Sequence, residues 1–327
     1  MQSEAWITGT GCYVPERVLT NADLERMVDT SDEWIISRTG IKRRHLVAEG
    51  QATSDMGEQA SKRALEAAGL TALELDLILV GTVTPDMVLP STAALLQERL
   101  GAEKAAINDI VAACAGFIYG VATARAFVMS GMCKNVLVVG AETLSSITNY
   151  HDRNTCVLFG DGAGAAIVSA RPGPAKILSA CLRGDGRQWQ DLQIPAGGSL
   201  SRLTPSDLEN GSRFIHMNGS EVFKYAVRGM TESSEKALSD AGLKASDIKL
   251  FIPHQANVRI MEAVAKRLEL SPDQVFNNIE EYGNTSSASV PIGLDEARRQ
   301  GRIRPGDVVV LSAFGAGFCW GSAVLQF

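Results

Sequence analysis

The sequence repeats itself at an offset of 173 residues, which predicts a duplicated fold. The ten residues from Arg63 (RALEAAGLTA) and the ten from Lys236 (KALSDAGLKA) are identical at six positions without a gap. Two more pairs follow in the same order, because NVLVVGAE resembles DVVVLSAF and FGDGAG resembles FGAGF. We therefore predict two related halves, residues 1–172 and 173–327, with a site between them that takes residues from both.

Segments rich in β-branched residues alternate with alanine-rich amphipathic segments. Strands are predicted over residues 75–83, 105–111, 135–140, 164–169, 249–252, 307–312 and 318–327, and helices over 54–68, 114–130, 220–241, 257–268 and 289–299. Such alternation is typical of α/β proteins with largely parallel sheets. We expect the halves to form one five-layered α-β-α-β-α unit or two abutting domains.

Composition limits the class of protein. Hydrophobic residues fill 45% of the 327 positions, enough for a large core, whereas a net charge of −6 argues against a general nucleic-acid binder. The six cysteines form no CxxC pair and no Cys/His cluster at metal spacing, so we expect neither a zinc site nor a disulfide framework. No apolar run approaches the ~18 residues of a membrane span, and the first residues do not resemble a secretory signal. We expect a soluble, cytoplasmic protein.

A cysteine, Cys114, lies in a turn of small residues between a predicted strand and a predicted helix. The partial positive charge and free N–H groups of a helix start lower a thiol pKa, so Cys114 is a candidate nucleophile. A small buried side chain at a tight helix–sheet contact fits this segment alone equally well. Residues 115–130 are apolar nearly all round, which predicts a central, buried helix.

Three segments of the second half carry further candidates. His254 directly follows a predicted buried strand, where α/β proteins often place active-site residues, although a structural role is the commoner one for a lone histidine. Asn284 lies in a Gly-Asn turn before a serine-rich helix start, and a shift of about 170 residues sets it opposite Cys114. Gly315 belongs to a glycine-rich turn whose N–H groups could form an oxyanion hole, although any β-turn favours glycine.

Together these segments resemble β-ketoacyl-acyl carrier protein synthase III, a condensing enzyme of the thiolase-like superfamily. The resemblance covers essentially the whole chain. It is carried by SDEWIISRTGI from Ser31, ACAGF from Ala113, FGDGAGA from Phe159, VFK from Val222, PHQAN from Pro253, GNTS from Gly283 and FGAGFCWGS from Phe314.

The resemblance implies a Cys-His-Asn site with two half-reactions. Cys114 would attack an acyl-CoA thioester, and the N–H groups of Cys114 and Gly315 would hold the oxyanion. His254 and Asn284 would then stabilise the enolate formed when malonyl-acyl carrier protein loses carbon dioxide. No metal or other cofactor is expected, acyl-CoA being a substrate.

The same resemblance implies the binding surfaces. Trp34 and Arg153 would sandwich the adenine of CoA, and Arg38, Gly219 and Asn257 would line the pantetheine route. A homodimer is expected, as is a basic rim for the acidic carrier protein. The residues that match this rim are Lys224, Arg259, Lys266 and Arg267.

Three positions depart from the family pattern. Leu89 stands where acetyl-using members often have a Phe that reaches into the partner subunit's acyl pocket, so the length of the primer is open. Ala316 replaces a glycine of the glycine-rich turn, a change that should leave the backbone donors usable. Cys319 faintly resembles the second catalytic cysteine of thiolases, but we expect it to be structural because His254 and Asn284 already supply the decarboxylating pair.

The expected function is decarboxylative condensation of an acyl-CoA primer, acetyl-CoA first, with malonyl-acyl carrier protein, which initiates type II fatty-acid synthesis. One alternative keeps the acyl-cysteine but assigns a longer, branched or aromatic starter in a polyketide or quinolone pathway. A non-catalytic partner subunit and a biosynthetic thiolase are further alternatives. The retention of Cys114, His254 and Asn284 together disfavours the non-catalytic subunit, and Asn284 disfavours the thiolase.

Overall fold

The structure is a computed structural model that describes residues 4–327. Residues 1–3 lie outside the described residues. The predicted first half and the predicted absence of a secretory signal both include them. The strands are β1 Trp6–Tyr13, β2 Arg17–Thr20, β3 Arg43–Leu46, β4 Leu77–Gly81, β5 Ala106–Ile110, β6 Asn135–Glu142, β7 Gly162–Ser169, β8 Ala175–Gly184, β9 Leu192–Gln193, β10 His216–Met217, β11 Ile248–Pro253, β12 Val308–Gly315 and β13 Cys319–Gln326.

Helices of very different length connect these strands. They are α1 Asn21–Glu25, α2 Asp32–Thr39, α3 Thr53–Ala68, α4 Thr92–Leu100, α5 Gly116–Met129, α6 Arg153–Cys156, α7 Pro205–Glu209, α8 Gly219–Asp240, α9 Val258–Arg267, α10 Ile279–Tyr282 and α11 Ser289–Arg299. Short 3-10 turns include Ala113–Ala115 before α5 and Ser286–Ala288 before α11. The five predicted helices and seven predicted strands are all present, with shifted ends.

The main sheet has the strand order β11-β12-β13-β8-β1-β7-β6-β4-β5. Outward from the β1–β8 contact, the first half has the order β1, β7, β6, β4 and the second half has the order β8, β13, β12, β11. In each half these are the first, last, next-to-last and second strands that the half contributes to the sheet. In the first half β5 follows as the third strand, and in the second half an isolated parallel bridge between Phe251 and Val275 takes that place. The predicted duplication is therefore visible in the topology. The division at residue 172 stays a prediction, because one sheet continues through both halves.

The prediction of largely parallel sheets is wrong. Only β4–β5, β4–β6 and β11–β12 are parallel among the main-sheet pairs of the described residues, and the other pairs are antiparallel. The expectation failed because it missed β1 and β8, which join the halves, and because the last strand of each half returns antiparallel.

The offset of 173 residues recurs in the structure. Helices α5 and α11 begin at Gly116 and Ser289, and strands β6 and β12 begin one such offset apart. The two 3-10 turns before these helices also match, so the residue equivalent to Cys114 is Ser287. The prediction that set Asn284 opposite Cys114 was wrong by three positions, although Asn284 does precede the equivalent turn.

Five layers follow from how each strand divides its side chains. In β4, Leu77 and Leu79 join the core around α5, whereas Ile78 and Val80 join the core around α3. Helices α5 and α11 contact strands of both halves and form the central layer, with α3 outside one half and α8 and α9 outside the other. The predicted burial of the helix after Cys114 is confirmed for α5, in which Phe117, Ile118 and Val121 are fully buried. Within residues 4–327, none of the helices has both the length and the apolar character required to cross a lipid bilayer.

Glycines allow the central turns to approach the strands. A Cβ added to Gly81 would lie 2.6 Å from the carbonyl carbon of Gly116, and one added to Gly140 would lie 2.3 Å from the carbonyl oxygen of Ser287. No side chain fits at such distances, so these positions require glycine for steric reasons rather than for their backbone conformation.

We predict that Gly140→Ala lowers the free energy of unfolding by about 1–3 kcal/mol, because the added methyl group forces the backbone at Ser287 outward. Urea unfolding of the purified variant measures this change. Gly186→Ala is the matched control, since a Cβ at Gly186 meets no atom within 4 Å. An unchanged unfolding midpoint for Gly140→Ala would contradict the packing argument.

Candidate active site

A cavity of about 310 Å³ lies where the two halves meet. Its walls are mostly apolar, and both halves contribute. The first half supplies Val83, Ala113, Cys114, Leu144, Ile147, Leu158 and Phe159, and the second half supplies Met217, Gly219, Val222, His254, Asn257, Asn284, Ser286 and Phe314 among others. The predicted position of the site, between the halves, is thus where the structure has its apolar cavity.

Cys114 lies at the wall of this cavity, in the 3-10 turn between β5 and α5. The preceding residue, Ala113, has a φ of +44°, a left-handed conformation that costs a non-glycine residue about 1 kcal/mol or more. Burial raises the pKa of the Cys114 thiol to about 12, and the interaction with Ser286 offsets only part of this rise. The expectation of a lowered thiol pKa is therefore wrong, and the thiol is protonated at neutral pH in this structure.

Gly315, at the end of β12, lies directly against the backbone of this turn. A Cβ on residue 315 would be 2.7 Å from the Cys114 nitrogen and 2.9 Å from the Ala112 oxygen. Only glycine allows this approach, which brings the backbone at the end of β12 against the backbone of the turn that carries Cys114. The geometry is compatible with the oxyanion hole expected from the sequence.

His254 directly follows β11, as predicted, and is almost completely buried. Its Nδ1 lies 2.7 Å from the Ser289 hydroxyl, which is also 3.4 Å from the backbone N–H of Gln255. Burial lowers the pKa of His254 to about 3, so the imidazole is neutral. Of the two groups in contact with the Ser289 hydroxyl, the Gln255 N–H can only donate, so the Ser289 hydrogen is assigned to Nδ1 and the ring hydrogen to Nε2.

Asn284 is held by its backbone and by its side chain. Its N–H donates to the Leu158 carbonyl at 2.9 Å, and its carbonyl accepts from the N–H of Gly160 at 3.0 Å. Its side-chain Oδ1 accepts from the Ser286 N–H at 2.9 Å. This last bond fixes the amide orientation and leaves the Nδ2 hydrogens for a molecule in the cavity.

Sequence reasoning missed three polar residues that surround the candidate triad. Ser289 orients His254, Ser286 orients Asn284, and the fully buried carboxylate of Glu142 accepts a hydrogen bond from the Ser286 hydroxyl at 3.0 Å. The serine-rich run after Asn284 is the available signal in the sequence, but Gly, Asn and Ser are equally typical of turns and helix caps. No local pattern distinguishes Glu142 from a surface residue at the end of a strand.

The residues expected to bind CoA fall into two groups. The Arg153 guanidinium lies 4.9 Å from the centre of the Trp34 ring, and that of Arg38 lies 5.8 Å from it. An adenine between Trp34 and Arg153 would have to displace the guanidinium, because their direct contact leaves no room for another ring. Gly219 and Asn257 line the cavity itself, and the Asn257 Oδ1 caps α9 by accepting from the N–H of Ile260.

The predicted basic rim lies on two helices that pack against each other, α8 and α9. Lys224 is exposed on α8 and pairs with Glu221 at 2.6 Å, as neighbouring helical charges do. Arg259, Lys266 and Arg267 are exposed on α9. The structure brings these charges to one side of the second half, and their role in docking stays a prediction.

Leu89 and Cys319 complete the predicted positions. Leu89 is 85% exposed and does not line the cavity of its own chain, so any contact with an acyl group has to be made elsewhere. The Cys319 thiol lies 3.1 Å from the carbonyl oxygens of Ala112 and Ala316, and burial together with nearby Cys114 raises its pKa to about 12. These contacts agree with the structural role expected for Cys319.

Within residues 4–327, no group of three or more His, Cys, Asp and Glu side chains is arranged to hold a metal ion. The expectation that the reaction uses no metal and no other cofactor is not tested by this finding and stays a prediction.

Comparisons with known proteins identify the family. The model of 3-oxoacyl-[acyl-carrier-protein] synthase III matches residues 108–186, and the model of the C-terminal part of the same family matches residues 238–327. The chain is 54% identical over 323 residues to a β-ketoacyl-[acyl-carrier-protein] synthase III from Caldanaerobacter subterraneus subsp. tengcongensis, covering 99% of this chain and 98% of that protein.

Solved structures agree with this assignment. A 3-oxoacyl-[acyl-carrier-protein] synthase III from Aquifex aeolicus superposes with a TM-score of 0.91 at 45% identity, covering 99% of this chain and all of that one. The priming β-ketosynthase of the R1128 polyketide pathway also has a TM-score of 0.91, but at 34% identity, over 99% of this chain and 97% of that one. The resemblance inferred from the sequence is confirmed: the chain belongs to the β-ketoacyl-[acyl-carrier-protein] synthase III family of condensing enzymes.

Proposed function

We propose that the protein condenses an acyl-CoA primer, acetyl-CoA first, with malonyl-acyl carrier protein and so initiates type II fatty-acid synthesis. The observation that carries this proposal is the convergence of Cys114, His254 and Asn284 on one apolar cavity between the halves. Relatives of about 50% identity along the whole chain are named as synthases of this class. The specialised-pathway alternative is not favoured, because the polyketide priming enzyme is the more distant match at 34% identity.

The first half-reaction transfers the acyl group to Cys114. The sulfur attacks the thioester carbon, the carbonyl oxygen gains negative charge, and the N–H groups of Cys114 and Gly315 stabilise it. The carbon–sulfur bond to CoA then breaks, and CoA leaves as a thiol. The apolar walls exclude water, which protects the acyl-enzyme from hydrolysis.

The second half-reaction needs donors that are not negatively charged, because decarboxylation develops an enolate oxygen. His254 supplies Nε2–H from a neutral ring, and Asn284 supplies an Nδ2 hydrogen. Both donors are fixed by serine contacts before the substrate arrives, which is favourable for stabilising developing charge. The carbanion then attacks the acyl-Cys114 carbonyl, a 3-oxoacyl product forms, and the Cys114 sulfur is released.

The substrate routes are part of the proposal. We assign Trp34, Arg38 and Arg153 to the adenine end of CoA, and Gly219 and Asn257 to its pantetheine arm. The exposed cations Lys224, Arg259, Lys266 and Arg267 are assigned to the acidic carrier protein, for which they would mainly increase the association rate. A cytoplasmic location agrees with six cysteines that are all unpaired among the described residues.

The proposal extends to a homodimer. In the sheet formed by the described residues β5 is the terminal strand, and its end carries Val111 at 82% exposure. The neighbouring loop carries Val88 at 98% and Leu89 at 85% exposure. The Asp109 carboxylate holds this loop against β5 by accepting the N–H of Thr92 and Ala93, at 2.7 and 2.9 Å. An unpaired edge beside exposed apolar side chains favours pairing with a second copy.

Radiolabelled acetyl-CoA tests the acyl-enzyme. We expect label on the purified protein, and on adding malonyl-acyl carrier protein a labelled 3-oxoacyl product, because Cys114 has the only thiol among the described residues that line the cavity. Cys114→Ala should lose both signals. The control Cys133→Ala should keep them, because Cys133 is also buried but does not line the cavity. A Cys114→Ala variant that behaves like the parent would refute the proposal.

The division of roles between the half-reactions gives a second prediction. His254→Ala and Asn284→Ala should retain transfer of labelled acetyl to Cys114 while losing decarboxylation by 100-fold or more, about the effect of removing one oxyanion donor. Carbon dioxide release from malonyl-acyl carrier protein measures the second step. Loss of acylation in both variants would contradict the assignment.

The dimer is tested by mass. We expect the parent to be dimeric by light scattering at micromolar concentration and Val111→Asp to be monomeric, because a charge at the sheet edge opposes strand pairing. Met132→Asp is the control, since Met132 is 73% exposed but lies beyond the end of α5, away from Val111. A monomeric parent would count against the proposed assembly.

A further inference from the structure

The carboxylate of Glu142 is fully buried at the end of β6 and is not part of the Cys-His-Asn triad. Its two oxygens have different surroundings. Oε2 accepts from the hydroxyls of Thr82 and Thr84 and from the N–H groups of Val83 and Thr84, at 2.6 to 3.2 Å. Oε1 accepts only from the Ser286 hydroxyl, at 3.0 Å, within the described residues. Oε1 is therefore the oxygen that can take up a proton.

Ser286 connects this carboxylate to the nucleophile. The turn that contains it packs against the turn that contains Cys114, and both residues line the cavity. Besides its bond to Glu142, the Ser286 side chain acts on the Cys114 thiol, whose pKa it lowers against the larger effect of burial. Like Ala113 in the equivalent turn, Ser286 has a left-handed backbone, with a φ of +50°, so its position is set by the packing rather than by its own preference.

One hydroxyl carries one hydrogen, and this limits the chain Cys114–Ser286–Glu142 to two arrangements. In the first, Ser286 donates to the carboxylate and accepts from the thiol. In the second, a protonated Glu142 donates to Ser286, which donates to a Cys114 thiolate. The two arrangements have the same total charge and differ by a concerted shift of two hydrogens.

We propose that Ser286 and Glu142 are a proton relay for Cys114 during acyl transfer. The relay rests on the proposed acylation of Cys114. The Sγ–H bond breaks as the sulfur electron pair forms the bond to the thioester carbon, the proton passes to the Ser286 oxygen, and the Ser286 hydrogen passes to Glu142 Oε1. When the bond to CoA breaks with its electron pair on the CoA sulfur, the shift reverses and delivers the proton to that sulfur. Overall, one proton moves from Cys114 to CoA, and Glu142 is regenerated as a carboxylate.

The electrostatics of the two ends agree with such an exchange. Burial raises the pKa of Glu142 as well as that of the Cys114 thiol, so each end of the chain is a better proton acceptor than it is in water. The other titratable groups near Cys114 are Cys319, whose own pKa is raised by burial and by Cys114, and His254 across the cavity, which is neutral. Neither of them offers a charged base to the thiol.

Ser286→Ala tests the relay, because it removes the hydroxyl and keeps the backbone N–H that orients Asn284. We expect single-turnover acylation by radiolabelled acetyl-CoA to slow about 100-fold, within the usual contribution of general-base catalysis. Decarboxylation of malonyl-acyl carrier protein should stay within about threefold of the parent. The matched control is Ser287→Ala, which removes a buried hydroxyl bound to the Gly81 carbonyl in the same turn and should change acylation by less than about threefold.

The pH dependence provides a readout that a purely structural role would not change. The parent should acylate at a rate that varies little from about pH 7 to 9, since the proton stays within the chain. Ser286→Ala and Glu142→Gln should gain up to about tenfold per pH unit, because the thiol must then ionise to solvent. Two variants are used because the buried Glu142 also supports the loop after β4, so Glu142→Gln alone could act through stability.

The outcomes separate the two proposals. A labelled parent together with a Ser286→Ala variant that acylates at the parent rate would overturn the relay and leave the proposed function intact. An equal fall in acylation and decarboxylation would also overturn the relay, since it would show that Ser286 acts only by supporting Asn284. A parent that takes no label would refute the proposed function, and the relay with it.

Discussion

Contact between the two turns that precede the central helices is the constraint on which the site depends. The turns Ala113–Ala115 and Ser286–Ala288 meet at the centre of the molecule, and Gly81 and Gly140 allow the strands to come within backbone distance of them. Ala113 and Ser286, which have left-handed backbone conformations, occupy equivalent positions in the two turns. Because the halves are duplicates, the packing that buries α5 and α11 also brings the candidate nucleophile of one half to the candidate donors of the other.

The resulting site contains few formal charges. The Cys114 thiol and the His254 ring are both neutral, and the Glu142 carboxylate is enclosed by hydroxyl and N–H donors. Polarity is supplied by fixed dipoles whose orientation is decided by neighbouring serines. An apolar cavity makes each of these dipoles stronger than it would be in water, and it makes any unpaired charge costly. Chemistry that passes through thiolate, oxyanion and enolate therefore needs donors that are already in place.

Much of this arrangement could be predicted from the sequence. The repeat predicted the duplication, and the residue types after the strands predicted Cys114, His254, Asn284 and Gly315 as candidates. β1 and β8 were missed because their pairing across the halves leaves no local signal. The direction of the thiol pKa was wrong, because a helix start is visible in sequence whereas the apolar walls around it are assembled from distant segments.

Ser286 and Glu142 show a second limit of prediction from sequence, which again concerns contacts between distant segments. A serine after a Gly-Asn turn is interpreted as a capping residue, and a glutamate at the end of a strand as a surface residue. Only the fold shows that they are 144 positions apart in the chain and 3.0 Å apart in space. Residues that act through one another cannot be recognised from spacing, since the register between the halves is set by the whole core.

On the proposed assignment of Trp34 and Arg153 to the adenine of CoA, their contact distinguishes the two thioester substrates. A free nucleotide conjugate brings an aromatic ring, and that ring can replace the guanidinium that it displaces from Trp34, so the loss of a contact worth about 0.5–1 kcal/mol is offset by new stacking. A thioester delivered on a protein brings no such ring. On the proposed assignment, the contact between Trp34 and Arg153 is therefore broken by acyl-CoA and kept with the carrier-protein substrate.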